Sequence, residues 1–333
     1  MKVLITGGAG FIGSTVASCC ADAGITPVIL DDYSTGLRVF AERFDHYEGD
    51  IADVELVNRI VDEHPDIDAV VHCAAKIVVP ESVEKPLEYY DTNVGKAITL
   101  LETLSARGIR TFLLSSTAAM YEPDPDFMVD EDSVLNPGSP YAASKWMLER
   151  VLADAVAAGR IRAIALRYFN PIGADPQMRS GLQNPAPSHA LGKMITAHRA
   201  GETFTVTGTD WPTRDGSGLR DYIHVWDLAR AHVAALQADL ADYEVINLGT
   251  GTGTTVFELT EAVSEATGTP LDVAGAPRRD GDVAGSAARI DKARKVLGWE
   301  PEFSIAEGVR HALDWAQRLP AVLERENELK AGA

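Results

Sequence analysis

A tyrosine and a lysine stand four residues apart at Tyr141 and Lys145, in a segment whose pattern predicts a helix over residues 141–158. Residues i and i+4 share one face of a helix, so the phenol and the ammonium can project into the same site. A tyrosine normally titrates near pH ~10, and a neighbouring positive charge favours its phenolate. The pair therefore predicts a base that works near neutral pH. Such pairs also occur by chance on exposed helices, so the prediction depends on the neighbouring motifs.

The second motif is glycine-rich and reads Thr6-Gly7-Gly8-Ala9-Gly10-Phe11-Ile12-Gly13. It follows a predicted strand and opens a predicted helix, which is the context that a dinucleotide-binding turn requires. Glycines let the backbone approach a pyrophosphate, and the helix N-terminus offers free N–H groups and a positive dipole end. Asp31 ends the next predicted strand, where a carboxylate binds a ribose 2′-OH and repels a 2′-phosphate. The motif therefore predicts NAD rather than NADP, and the alternative is a tight glycine turn that binds no ligand.

Both motifs lie in a chain whose first half alternates between strand-like and helix-like segments. The predicted strands are apolar runs, at residues 3–5, 28–30, 69–71, 112–114 and 161–166. The predicted helices between them include residues 53–63 and 87–107. Alternating βα units predict a parallel sheet with helices on both faces. Three hydroxyl residues follow the strand at 112–114 and join the tyrosine at the sheet edge: Ser115, Ser116 and Thr117.

The alternation breaks after Tyr168, where segments rich in Gly, Pro, Asp and Asn predict a smaller lobe. We expect an α/β protein with a Rossmann-type, doubly wound parallel sheet and a smaller, discontinuous α/β substrate-binding lobe. Residues 1–168 plus about 223–248 are predicted to form the NAD-binding domain. Residues 169–222 plus about 249–320 are predicted to form the lobe. The tail after about residue 320 is expected to be a frayed helix end.

Composition limits the partners that the chain can have. The 333 residues include 30 Lys and Arg against 49 Asp and Glu, a formal net charge of −19. Neither nucleic acid nor an anionic membrane is therefore expected as a partner, and an anionic substrate would need a local basic pocket. The cysteines Cys19, Cys20 and Cys73 are too few for a disulfide framework and fit a cytoplasmic location. The spacing of the histidines does not resemble a metal site, so no metal is expected.

Further segments give the chain a resemblance to a known family. Over nearly its whole length the sequence is similar to the UDP-glucose 4-epimerases, within the extended short-chain dehydrogenase/reductase superfamily. Besides the two motifs, the segments that carry the similarity are Gly49-Asp50-Ile51, Glu81-Ser82-Val83, Pro86-Leu87-Glu88-Tyr89-Tyr90, Asn93-Val94, Leu166-Arg167-Tyr168-Phe169-Asn170-Pro171, Arg220-Asp221-Tyr222-Ile223-His224-Val225, Asn247-Leu248-Gly249 and Arg278-Arg279-Asp280-Gly281-Asp282. The resemblance implies an NAD-dependent isomerase that inverts C4 of a UDP-hexose through a transient 4-keto sugar.

The resemblance also implies a role for each matching residue. Tyr141 is implied to be the base, with Lys145 and Thr117 as the other catalytic residues. The residues implied to contact NAD are Gly7, Gly10, Phe11, Ile12, Gly13, Asp31, Asp50, Ile51, Ala74, Ala75, Lys76, Asn93, Ser115, Tyr141, Lys145, Tyr168 and Phe169. The residues implied to contact a UDP-sugar are Thr117, Tyr141, Asn170, Ser188, His189, Thr205, Thr207, Arg220, Arg279, Asp282 and Ser286. A homodimer is also implied.

The sequence departs from the family pattern at positions that bear on the sugar. Thr117 stands where the family usually has a serine, and Thr207 stands where an aromatic residue often stacks on uracil. Ser286 falls where the family has either a bulky tyrosine or a small residue, and a small residue leaves room for an N-acetyl group at the hexose C2. We therefore expect the N-acetyl forms to be accepted as well as plain UDP-hexoses.

Other functions on the same fold are alternatives. A sugar-nucleotide 4,6-dehydratase needs an acid–base carboxyl pair just after the strand-end hydroxyl, where this chain has Ala118 and Ala119. A UDP-uronic acid epimerase or decarboxylase, or another NDP-sugar-modifying extended short-chain dehydrogenase, is harder to exclude. A non-catalytic NAD-sensing regulator would tend to lack the tyrosine or the lysine, and this chain has both.

Overall fold

The computed structural model describes residues 1–122, 124–187, 189–278 and 283–332. The strands are β1 (Lys2–Thr6), β2 (Thr26–Asp31), β3 (Asp45–Glu48), β4 (Ile67–His72), β5 (Thr111–Ser115), β6 (Met128–Val129), β7 (Arg162–Tyr168), β8 (Asn170–Ile172), β9 (Phe204–Thr207), β10 (Leu219–Arg220), β11 (Tyr222–His224), β12 (Tyr243–Leu248), β13 (Thr254–Thr255), β14 (Val273–Ala276) and β15 (Gly285–Ala288). The helices are α1 (Phe11–Asp22), α2 (Arg38–Ala41), α3 (Val54–Glu63), α4 (Val79–Glu84), α5 (Pro86–Tyr90), α6 (Lys96–Ala106), α7 (Pro140–Ala157), α8 (Ala190–Ala200), α9 (Val225–Gln237), α10 (Val256–Thr267), α11 (Asp291–Leu297) and α12 (Ile305–Gly332).

Seven parallel strands form the central sheet, in the order β12-β7-β5-β4-β1-β2-β3. Successive side chains of a strand point to opposite faces. Val3 and Ile5 accordingly belong to one buried core, and Leu4 between them belongs to another. Strands covered on both faces are apolar throughout, which explains the apolar runs in the sequence. The predicted fold class is confirmed.

The lobe is built from short strands and the helices α8, α10 and α12. In the part of the chain that the structure describes, its sheets are β13-β10-β15-β6, β11-β8 and β14-β9. A third core is formed by residues of these helices, among them Met194, Leu259 and Val309. β12 pairs with β7 although the lobe strands β8 to β10 come between them in sequence. This arrangement supports the predicted two-part division, whose boundaries stay a prediction.

The helix predicted over residues 87–107 is interrupted. α5 and α6 are joined by a π-helical turn at Asp91–Gly95, which inserts an extra residue into the turn. The turn carries the buried Asn93, whose Nδ2 donates to the Ser144 Oγ of α7 at 3.0 Å. The predicted long helix is thus present from Pro86 to Ala106, and the π-helical turn within it was not predicted. The side-chain amide of Asn93 links this turn to the neighbouring helix α7.

The tail after residue 320 does not fray, contrary to the prediction. α12 runs from Ile305 through Pro320 to Gly332, and Glu326 near its end is buried. A proline lacks the N–H that would bond the carbonyl four residues earlier, here that of Ala316. The Arg199 guanidinium donates to the Ala316 oxygen at 3.0 Å instead, so the carbonyl is satisfied and the helix continues.

Candidate active site

The predicted catalytic residues meet at the carboxyl edge of the central sheet. Ser115 ends β5, and Thr117 lies two residues beyond it. Tyr141 lies in the first turn of α7, which begins after Ser139. The Ser139 hydroxyl accepts the Ala142 N–H at 3.2 Å and caps the helix, and a proline at the first helical position fixes φ for the turn. The Ser-Pro sequence thus starts α7 at the sheet edge.

Lys145 lies one turn further along α7 and is almost wholly buried, with 3% of its surface exposed. Its Nζ donates to the Ser115 carbonyl oxygen at 2.9 Å. Burial disfavours the charged ammonium and lowers the pKa of Lys145 to about 8. The ammonium therefore stays charged at neutral pH but lies close to its titration range.

Tyr141 is partly exposed, and its hydroxyl is hydrogen-bonded by Thr117. Burial raises the pKa of Tyr141, and the hydrogen bond from Thr117 lowers it. The sequence predicted a lowering by Lys145, which the structure does not show. The Lys145 ammonium is instead directed at the Ser115 carbonyl. The pKa of Tyr141 therefore responds to burial and to Thr117 rather than to Lys145.

A buried hydrogen-bond network around Ser115 escaped the sequence analysis. His232 Nδ1 contacts the Leu228 carbonyl at 2.8 Å, and since a carbonyl only accepts, Nδ1 carries the proton. Burial lowers the pKa of His232 to about 4, so its Nε2 is an acceptor and the Ser115 hydroxyl donates to it at 2.8 Å. Cys73 Sγ lies 3.2 Å from the same hydroxyl, and the ring of the buried Tyr168 lies 6.5 Å from the His232 ring, centroid to centroid. In the sequence, the only indication of this contact is that His232 lies in the segment, about residues 223–248, that is predicted to belong to the NAD-binding domain.

The glycine turn connects β1 to α1 as the motif predicts. Gly7 has φ +68°, and a Cβ there would lie 2.6 Å from the Ala74 nitrogen. A Cβ at Gly13 would lie 2.2 Å from the Gly7 oxygen, so these two glycines allow backbone contacts that any side chain would prevent. A Cβ at Gly10 would meet only the Gly7 oxygen at 3.4 Å, which leaves the outer side of the turn open. No side chain caps α1, so its first N–H groups can receive a pyrophosphate.

Asp31 ends β2 beside this turn, as predicted. Its Oδ2 accepts the Ala9 N–H at 2.9 Å, and its Oδ1 accepts the Tyr33 N–H at 2.8 Å. Burial raises the pKa of Asp31, and these two backbone N–H groups lower it. The carboxylate is thus held in place by the turn that would hold the pyrophosphate. Phe11 and Ile12 lie in the first turn of α1, directly after the glycine turn.

Asn93 joins two parts of the predicted cofactor site. Its Oδ1 accepts the Lys76 N–H at 2.8 Å, and its Nδ2 donates to the Lys76 oxygen at 3.0 Å. These bonds hold the segment after β4 that contains Ala74 and Ala75, so Asn93 positions this segment. The Lys76 ammonium points outward to Glu88 at 2.7 Å, away from the expected cofactor side.

Three further residues of the predicted cofactor set follow the strands β3 and β7 of the central sheet. The Asp50 carboxylate accepts the Ala52 N–H at 2.9 Å and pairs with Lys96, which lowers the pKa of Asp50. Ile51 beside it is buried in the core that contains Leu4. Phe169 follows β7 and packs against Tyr121, partly buried.

Arg220 and Ser286 are register partners on the parallel strands β10 and β15, so their side chains share a face of that sheet. The Arg220 guanidinium donates to the carbonyl oxygens of Leu219 at 2.7 Å, Ala284 at 3.2 Å and Val283 at 3.3 Å. These carbonyls orient the guanidinium without neutralising its charge. An anion can therefore be bound beside Ser286.

Asp221 brings the predicted substrate residues together. Its carboxylate accepts the Ala288 N–H at 3.0 Å and the Thr250 N–H at 2.7 Å, which fixes β15 and the loop after β12. Its carbonyl accepts the Asn170 N–H at 3.0 Å. β8, β10 and β15 are thereby tied to one buried carboxylate residue, and the predicted residues Asn170, Arg220 and Ser286 lie on these strands.

The remaining predicted substrate residues are less closely tied to this cluster. Thr205 and Thr207 lie on β9, which pairs with β14 in a separate two-stranded sheet. His189 caps α8 by accepting the Gly192 N–H at 3.2 Å, and burial lowers its pKa, so it is neutral. The predictions at Ser188, Arg279 and Asp282 lie outside the described residues.

The chain is similar in sequence to a known protein family over most of its length. The NAD dependent epimerase/dehydratase family matches residues 3–249. The UDP-glucose 4-epimerase of Rhizobium leguminosarum bv. trifolii is 42% identical over 318 residues, which cover 94% of this chain and 96% of that protein. The chain belongs to the UDP-glucose 4-epimerase family. This membership confirms the resemblance seen in the sequence, and with it the expectation of an NAD-dependent epimerase.

Solved structures of the family agree with this result. The UDP-glucose-4-epimerase from Stenotrophomonas maltophila, with bound NAD and formylated UDP-arabinopyranose, is 35% identical with a TM-score of 0.92, over 96% of this chain and 99% of that chain. The UDP-Glc/GlcNAc 4-epimerase from Campylobacter jejuni is 35% identical with a TM-score of 0.82, over 95% of this chain and 99% of that one. The Rossmann-type fold predicted from the sequence is the fold of these UDP-glucose 4-epimerases.

Within the described ranges, no three His, Cys, Asp or Glu side chains are grouped as a metal site would require. No helix in the part of the chain that the structure describes is both long and apolar enough to cross a bilayer.

The choice of NAD by this epimerase is expected to depend on Asp31. Asp31→Asn keeps the size of the side chain and removes the charge that repels a 2′-phosphate. We expect the preference for NAD over NADP to narrow by about tenfold, or about 1.4 kcal/mol. Titration calorimetry of the NAD-free protein with each cofactor measures the effect. Asp32→Asn, an equal change of charge at the exposed neighbour, is the control; equal selectivity in both variants would assign the ribose contact elsewhere.

Proposed function

We propose that this chain interconverts UDP-hexoses at C4, with NAD as its cofactor and Tyr141 as its base. The observation that carries the proposal is the meeting of Tyr141, Thr117 and Lys145 at the sheet edge, beside the glycine turn. Oxidation of a sugar carbon requires a base for the hydroxyl proton next to a bound nicotinamide cofactor. The relatives named as UDP-glucose 4-epimerases support the substrate class.

The proposed reaction uses the side chains as follows. NAD would be held by the glycine turn and Asp31, and it would supply the acceptor of the C4 hydride and the source of its return to the opposite face of the 4-keto sugar. The Tyr141 oxygen takes the proton of the O4 hydroxyl as C4 is oxidised and gives it back as C4 is reduced. Burial raises the pKa of Tyr141, and Thr117 opposes that rise and so favours the phenolate relative to a site without this hydroxyl. Lys145, charged below its pKa of about 8, adds a positive charge to the same buried edge.

Arg220 is the proposed contact for the diphosphate. A chain of net charge −19 needs a local cation to bind a UDP-sugar, and a guanidinium binds phosphate oxygens in pairs. The carbonyls around Arg220 orient it beside Ser286. Arg279 and Asp282 are proposed to complete the site on the strength of the family resemblance alone.

The alternatives are less well supported. Ala118 follows Thr117 and is buried at the start of a 3₁₀ turn at Ala118–Met120, so the carboxyl pair of a dehydratase is not formed there. A non-catalytic NAD sensor would not need the buried ammonium of Lys145, which has a cost in desolvation. Absorbance in the NADH band after UDP-glucose is added to NAD-loaded protein separates enzyme from sensor, since only the enzyme reduces its bound cofactor.

The assignment of Tyr141 as the base is testable by substitution. Tyr141→Phe removes the proton acceptor and keeps the ring. Turnover of UDP-galactose to UDP-glucose is expected to fall by about 10²–10⁴-fold with NAD still bound. Tyr47→Phe removes a hydroxyl that bonds Glu63 at the far edge of the sheet, and is expected to leave turnover unchanged. A Tyr141→Phe variant with the rate of the wild type would refute the mechanism.

The small side chain of Ser286 is proposed to admit N-acetyl sugars. Its position beside Arg220 and the named UDP-Glc/GlcNAc 4-epimerase among the relatives support this proposal. Ser286→Tyr would fill the space beside the hexose C2. We expect the ratio of kcat/KM for UDP-N-acetylglucosamine to that for UDP-glucose to fall by at least about tenfold. An equal loss for both substrates, or no N-acetyl turnover by the wild type, would contradict the proposal.

A homodimer is proposed through a face of exposed apolar side chains. Ile77, Val83, Leu87 and Trp146 are 64%, 64%, 81% and 42% exposed, and they lie on or beside the adjoining helices α4, α5 and α7. Patches of this kind commonly mark interfaces. Leu87→Glu is expected to shift the sedimentation coefficient from dimer to monomer, whereas Val134→Glu, at an exposed apolar position outside this face, is not. A monomeric wild type would overturn the proposal.

A cytoplasmic location is also proposed. Cys19, Cys20 and Cys73 form no disulfide with one another, and burial raises the pKa of Cys73 to about 11, which keeps it a thiol. Free thiols of this kind persist in a reducing compartment, which supports the proposal.

A further inference from the structure

The last turns of α12 contact the segment that follows Asp31. We call residues 321–332, which follow Pro320, the arm. The arm and the residues just before it pack on α2: Trp315 and Phe40 have ring centroids 5.8 Å apart, and Leu319 shares their buried cluster. Arg325 of the arm pairs with Glu42 at 3.3 Å. One helix thus reaches from the lobe to the nucleotide side of the central sheet.

Glu326 of the arm supplies the hydrogen-bond acceptor that α2 lacks at its N-terminus. The first N–H groups of a helix have no partner within it, and the residue before α2 is Leu37, whose side chain cannot accept a hydrogen bond. Glu326 Oε2 accepts the Val39 N–H at 3.1 Å and so caps α2 from another element. Its Oε1 faces Arg38 at 3.6 Å and Lys330 at 3.4 Å. A buried carboxylate is costly without such partners, so its position is well defined.

The start of α2 is in turn bound to the glycine turn. The Leu37 N–H donates to the Ala9 oxygen at 3.0 Å, and the Ala9 N–H donates to the Asp31 carboxylate. A Cβ on Gly36 would lie 2.8 Å from Asp31 Oδ1, so this segment folds closely over the carboxylate. The segment thus runs from Asp31 to Val39, and Glu326 holds its C-terminal end.

The part of α12 just before the arm borders a cavity. This cavity, of about 250 Å³, separates α12 from α8 and is lined by Phe11, Ile195, Leu319, Pro320 and, from the arm, Leu323. Interiors are normally close-packed, so α8 gives this part of the helix little support, whereas α2 packs against it. The hydrogen bond between Glu326 and the Val39 N–H is consequently the contact that would break if the arm moved away from the nucleotide segment.

We propose that the arm acts as a clasp on the segment between Asp31 and α2, and that Glu326 is a positioning residue that slows the release of NAD. The segment after Asp31 folds closely over the carboxylate that is proposed to bind the ribose of NAD. On this proposal, release of the adenosine half is accompanied by movement of the segment, and the Glu326–Val39 hydrogen bond resists that movement. The inference rests on the proposed use of NAD at the glycine turn.

Release of NAD from the loaded protein tests the clasp. Radiolabelled NAD is bound, excess unlabelled NAD is added, and the bound label is followed in time. Glu326→Ala is expected to accelerate release by about tenfold, and Glu326→Gln, which keeps an oxygen acceptor for Val39, by much less. Glu326→Leu fills the same volume without an acceptor and should match the alanine variant, which guards against a cavity effect. Glu324→Ala, at an exposed position two residues earlier, should release NAD like the wild type.

The outcomes distinguish the clasp from the cofactor assignment. A wild type that retains NAD, with Glu326→Ala and Glu326→Leu releasing it at the same rate as the wild type, overturns the clasp and leaves the epimerase proposal intact. Equal acceleration by Glu324→Ala also overturns it, since the effect would then be a general loss of helix. A folded wild type that binds no NAD refutes the proposed function itself.

Discussion

The hydrogen bond from the buried Lys145 ammonium to the Ser115 carbonyl sets the position of the catalytic helix. A charged group without water needs a nearby acceptor, and the free carbonyl at the end of β5 provides one. Because Nζ bonds that oxygen, this bond favours rotations of α7 that turn the Lys145 face toward the end of β5. Tyr141, one turn earlier on the same face, then lies at the edge where Thr117 lies. The strand end thus helps to position the proposed base.

Ser115 is itself held from the opposite side of the sheet. Its hydroxyl donates to the neutral His232, whose other nitrogen is bound to the Leu228 carbonyl of α9. Asn93 adds a second connection, because its side chain bonds both the segment after β4 and Ser144 of α7. The same segment after β4 is in close contact with Gly7. The catalytic helix and the cofactor turn are therefore positioned by one continuous set of hydrogen bonds and backbone contacts.

Sequence reasoning predicted the parts of this arrangement that follow from local pattern. Apolar runs, the glycine turn and the spacing from Tyr141 to Lys145 each follow from a short stretch of chain, and they predicted the sheet, the cofactor and the helix face. Contacts between distant segments were not accessible in this way. The bond of His232 to Ser115 joins residues 117 positions apart, and burial raised the pKa of Tyr141 where a lysine had been expected to lower it.

The prediction for the C-terminus was wrong for the same reason, since it too depends on contacts between distant segments. The tail was expected to fray because chain ends usually have few contacts. Here Trp315, Leu319 and Glu326 contact α2, which holds the end of the helix in place. Pro320 leaves the Ala316 carbonyl without its helical partner, and Arg199, 117 residues earlier, donates to it instead. These contacts between distant segments hold a lobe helix against the nucleotide segment, and connect the part of the protein that is proposed to hold the sugar with the part that binds NAD.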